Sequence, residues 1–135
     1  MRHEVAVEIE KTLKWHGFET PLGLLRLLQL GVRNFNPWWI LSEKAEVSSN
    51  HAAIAKLYRQ RKLLPFARRL DIDDVACFDL TGQGTSGPRI LVIHEGAHAG
   101  NEVQAEYDSF DSWFHQAVGD FYALVTLPRA TGEPQ

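Results

Sequence analysis

The sequence predicts a single α+β domain, a mainly antiparallel meander sheet flanked by N-terminal and C-terminal helices. Three observations carry this. Consecutive strand-like segments at 74–80, 89–94 and 102–107 are separated by linkers of eight and seven residues. A parallel crossover needs a dozen or more, so neighbours in sequence should pair antiparallel. Helical periodicity stands before and after that block. The chain has 135 residues and is 44% apolar, which suits one domain with its own core. The domain is expected to span 1–128, with a loose tail at 129–135 rich in proline, glycine and polar residues.

In residues 4–16, Val5, Ile9 and Leu13 recur at helical spacing, while Val5, Val7 and Ile9 also alternate as in a strand. Helix is the reading adopted. Pro21 then opens the apolar run Leu22–Leu30, which Gly31 closes, a helix of about ten residues. Trp38–Leu41 is aromatic and β-branched and follows Pro37, so it reads as a short strand. Ser48, Ser49 and Asn50 are N-cap candidates for a third helix with the stripe Ile54, Leu57, Tyr58. Pro65 should end it, leaving Leu64–Ala67 as an irregular turn.

Asp74–Leu80 reads as a strand. Arg89–His94 is a second one, apolar at four consecutive positions and so expected to be covered on both faces. Glu102–Tyr107 alternates, with Val103, Ala105 and Tyr107 on one face and Glu102, Gln104 and Glu106 on the other. Ser109 should cap the last helix, with Asp111 in its first turn. Its predicted core stripe is Phe110, Trp113, Phe114, Ala117, Phe121 and Leu124.

Composition narrows the function classes. The formal net charge is −3, the pI is near 6.0, and no recognised nucleic-acid motif is present, which argues against a nucleic-acid partner. No apolar run approaches the ~18 residues of a membrane span, and the N-terminal stretch carries acids where a signal peptide needs an apolar core. Cys77 is the single cysteine, so no intrachain disulfide forms and a reducing cytoplasm is the expected compartment. The charge is segregated. Lys56, Arg59, Arg61, Lys62, Arg68 and Arg69 form a basic block without acids. Residues 90–128 hold Glu95, Glu102, Glu106, Asp108, Asp111 and Asp120 and no Lys or Arg. Either the two blocks face each other or they meet partners of opposite sign.

Two motifs match catalytic patterns out of context. His94-Glu95-Gly96-Ala97-His98 has the H-E-x-x-H spacing of zinc hydrolases, which requires both rings on one helical face. Here it follows a strand and contains Gly96, so no metal or other cofactor is expected. Gly82-Gln83-Gly84-Thr85-Ser86-Gly87 has the G-x-G-x-x-G spacing, but Pro88 and a strand follow where a dinucleotide site needs a helix. It reads as a loop between antiparallel strands. Cys77 reads as a core residue, His115 as partly exposed, Trp38-Trp39 as core, and Asp71, Asp73 and Asp74 as an acidic turn without an EF-hand's glycine and distal glutamate.

In order, Trp39-Ile40-Leu41, a helix, Leu64-Pro65-Phe66-Ala67, Asp73–Asp79, a glycine-rich turn, Arg89–His94 and Tyr107–Phe114 resemble the SUKH superfamily over roughly residues 36–118. That superfamily includes the yeast cell-wall-assembly regulator and many bacterial immunity proteins. The resemblance implies an α+β, non-enzymatic protein-binding module that neutralises a cognate toxin in the producing cell. Many such toxins are nucleases with basic clefts, and the acidic set Glu95, Glu102, Glu106 and Asp108 is the expected contact surface. The alternatives are a nucleic-acid binder using residues 56–69 and, behind it, a zinc hydrolase at His94 and His98.

Overall fold

The computed structural model describes residues 4–41, 44–57, 62–80, 88–94 and 102–127. Among these the helices are α1 (Glu4–Trp15), α2 (Leu22–Leu30), α3 (Lys44–Leu57) and α4 (Phe110–Val125). The strands are β1 (Asn34–Phe35), β2 (Trp38–Ile40), β3 (Leu63–Arg69), β4 (Asp74–Asp79), β5 (Arg89–His94) and β6 (Val103–Tyr107). They lie side by side in sequence order, each antiparallel to the next. The fold is the α+β meander that the sequence predicts, with helices on either side of the sheet block in sequence.

Local chemistry sets the helix ends. At the end of α1 the Gly17 N–H donates to the Lys14 carbonyl and the Phe18 N–H to the Leu13 carbonyl. At the end of α2, Gly31 donates to Leu28 and Val32 to Leu27. Both are Schellman closures, with Gly17 at φ 87° and Gly31 at φ 74°, a region that costs a side chain steric strain. At the start of α4 the Ser109 hydroxyl accepts from the Ser112 N–H at 3.2 Å, as its N-cap role requires.

Two expectations are corrected here. The third helix does not start at Ser48–Asn50, which lie inside it; it starts at Lys44, early enough to include the buried Val47. Leu64–Ala67 is not a turn but part of β3. Pro65 is tolerated there because the ladder to β4 shifts register between Pro65 and Ala67, and proline within a sheet belongs at such irregularities. Residues 34–35 add a short strand that pairs with β2 as Phe35 opposite Trp38. The Asn36–Pro37 peptide bond in that hairpin turn is cis.

The core has two parts, one on each face of the sheet. The larger gathers Leu64, Phe66, Ala76, Phe78, Ile90 and Val92 with Ile9 and Leu13 of α1, Leu24 and Leu28 of α2, and Phe110, Trp113 and Ala117 of α4. Its centre is aromatic: Phe66 stacks on Phe78 at 4.4 Å between centroids, and Trp113 sits edge-on to Phe66 at 4.9 Å and to Trp38 at 5.2 Å. The smaller gathers Leu63, Val75, Cys77, Leu91 and Ile93 around Ile54 of α3. The apolar run of β5 therefore divides alternately between two cores, as a strand covered on both faces must.

The β5–β6 ladder shifts register between Val92 and Ile93, so Val92 opposes Ala105 and Ile93 opposes Val103. This overturns the expected alternation. Val103 packs with the Ile54 cluster, while Ala105 and Tyr107 pack against the larger core. A bulge changes which face every residue beyond it presents.

Candidate functional site

The acidic residues that the sequence groups together are separated by the fold. Glu102, next to that register shift, is only 6% exposed, and its carbonyl accepts from the His94 N–H at 2.9 Å. Glu106 and Asp108 are exposed at the other end of β6. Glu95 lies outside the described residues. Arg89 Nη2 donates to Glu106 Oε1 at 2.6 Å and lies 4.0 Å from Asp79. Asp79 is buried in β4, so the exposed acids at this corner among the described residues are Glu106 and Asp108. β6 pairs only with β5 among the described residues, so Glu106 and Asp108 belong to the strand at this margin of the sheet.

The basic block is also divided. Lys56 belongs to α3, Lys62 precedes β3, and Arg68 and Arg69 end β3. Arg59 and Arg61 lie outside the described residues. Arg69 is engaged by the chain's own acids. Its Nε and Nη2 donate to the two Asp71 oxygens at 2.9 and 2.8 Å, and its Nη1 lies 3.9 Å from Asp120. The hydrogen bond from Arg69 holds the Asp71 carboxyl below its ordinary range, and the same bond holds the Arg69 guanidinium above its own.

Most of both catalytic patterns lies outside the described residues. His94 closes strand β5, with Nδ1 2.7 Å from Asp74 Oδ1, and does not stand on a helix; His98 lies outside the described residues. Among the described residues no group of three His, Cys, Asp or Glu could hold a metal ion. Cys77 is fully buried in β4. The glycine motif at 82–87 lies outside the described residues, and the strands it links, β4 and β5, pair antiparallel. His115 is exposed, and Trp38 is core while Trp39 is half-buried. No helix among the described residues is long and apolar enough to cross a membrane.

The core stripe that the sequence predicts for α4 runs to Leu124, yet burial stops at Ala117, and Phe121 and Leu124 are 38% and 44% exposed. A helix of sixteen residues is about 24 Å long, and the sheet and α2 cover only its first half. The signal for this was present: Val118, Tyr122, Val125 and Leu127 lie off the predicted stripe, so the end of α4 is apolar on more than one side. Nearer its start, α4 meets α2 closely; a Cβ on Gly23 would stand 3.0 Å from the Phe110 ring. Beside that contact lies an open groove of about 430 Å³ lined by Leu22, Leu27, Leu30, Phe114, Arg26 and Asp111.

Comparison of the chain with protein-family models, with curated proteins and with solved structures finds no match.

Proposed function

We propose that this chain is a non-enzymatic protein-binding domain of the immunity type, which occludes a cognate toxin with a basic surface inside the producing cell. The observation that supports the reading is the outer edge of β6. There Glu106 and Asp108 are exposed on a strand that pairs only with β5 among the described residues, and residues 90–128 supply no Lys or Arg. A basic nuclease cleft is complementary to such an edge, and the complementarity speeds encounter at low salt. Within the four residues first expected to make the contact, the burial of Glu102 moves the weight of the proposal to Glu106 and Asp108.

The first test is whether the gene beside this chain's encodes a large secreted protein with a toxic C-terminal domain, and the second is co-expression with that domain. The parent chain should protect the cells. Glu106→Lys with Asp108→Lys should keep its circular dichroism and lose tenfold or more in affinity, because like charges at an interface cost several kcal/mol. A double variant that protects as well as the parent sinks the acidic-edge reading. A parent that fails to protect sinks the immunity reading itself.

A further inference from the structure

We propose that the exposed second half of α4 is a self-association surface, on which two copies of this chain pack α4 against α4. This surface is separate from the acidic edge of β6, and the proposal stands without the toxin reading.

The argument begins with what α4 leaves uncovered. Past Ala117 the core-facing stripe continues as Phe121 and Leu124, while the flank carries Val118, Tyr122 and Val125, the last two 68% and 60% exposed; Leu127 follows the helix and is exposed too. A helix segment apolar on several sides is ordinarily a buried one. At these exposures the side chains present an area near the top of the ~300–600 Å² typical of the largest patch on a monomer. That is about the per-partner share of an interface at the small end of the specific range, ~600 Å².

Charge and sequence then narrow the occupant. Between Val118 and Leu127 the only charged residue is Asp120, and its carboxylate is turned inward. It accepts from Trp38 Nε1 and from Gln116 Nε2, each at 3.0 Å. A patch without outward charge gives an acidic or basic partner nothing to recognise. A second copy meets the requirement, since an uncharged apolar helix face is complementary to itself across a two-fold axis.

The experiment is sedimentation equilibrium of the whole chain from ~1 to ~100 μM, the micromolar range suited to an interface of this size. The expected result is a mass rising to twice 15.3 kDa. Tyr122→Glu with Val125→Glu should return the mass of one chain with unchanged circular dichroism, because both side chains already face solvent. Leu127→Glu, placed beyond the helix, should weaken the dimer tenfold or more and serves where the pair disturbs α4. A parent chain that stays monomeric at ~100 μM overturns the proposal. So does a dimer that persists undiminished in a folded charge variant.

Discussion

The indole Nε1 of Trp38 donates a hydrogen bond to the Asp120 carboxylate at 3.0 Å, joining β2 to α4 across 82 positions of sequence. Trp38 is buried, and its N–H needs a partner; Asp120 is the acid on α4 that reaches it. Arg69 lies on the same carboxylate at 3.9 Å and 5.7 Å from the Trp38 ring, so strand, helix and guanidinium meet at one point. The uncovered end of α4 starts directly beyond it.

Asp120→Ala should therefore lower the unfolding free energy by about 1–3 kcal/mol, the range for losing a charged acceptor to a buried donor. Urea unfolding followed by tryptophan fluorescence reads it. Combined with Trp38→Phe in a double-mutant cycle, the pair should show a coupling of ~0.5 kcal/mol or more. Additive single losses would mean that the hydrogen bond contributes nothing.

Trp113→Ala should cost about 3–5 kcal/mol, as for other large buried aromatics. Its ring is fully buried among Phe35, Trp38, Phe66 and Phe110. Phe121→Ala, two turns on along the same helix, should cost less than ~1 kcal/mol in dilute monomer, because part of that ring is already in water. Equal losses at the two sites would show that the larger core extends past Ala117.

Gly31→Ala should destabilise the chain by about 1–2 kcal/mol, since alanine would have to hold φ 74°. Gly31→Asn should cost less, because asparagine tolerates the left-handed region. Thermal melts of the two variants beside the parent decide the order, and alanine melting with the parent would refute the strain argument.

Tyr107 should titrate above the ordinary tyrosine value of ~10. Burial is the larger cause and the Asp120 carboxylate the second. The folded state then holds its phenolic proton at a pH where the unfolded chain has released it. Stability is unaffected below the unfolded pKa and falls as pH rises from there through the folded one. Ultraviolet titration of the phenolate should show the raised value, and Asp120→Asn should lower it only in part. A return to the ordinary value in that variant would make the carboxylate the dominant cause.

What the sequence determined by itself is what depends on near neighbours. Pro21 and Gly31 bound α2 because a missing N–H and a left-handed turn are properties of single residues. Ser109 marks the start of α4 because its hydroxyl reaches only the N–H three residues on. The run Ile90–Ile93 announces a strand with two covered faces, and the short linkers require an antiparallel meander. What only the tertiary structure decided is what depends on register and reach. Pro65 sits in a strand, and Val103 faces away from Ala105, because the ladders shift at one step each, which no local periodicity records. Glu102 is buried beside the second of these shifts, which removes it from the acidic surface. The apolar stripe of α4 reads alike from Phe110 to Leu124, but burial needs something to pack against. The sheet and α2 end before the helix does, so only the first half of that stripe became core.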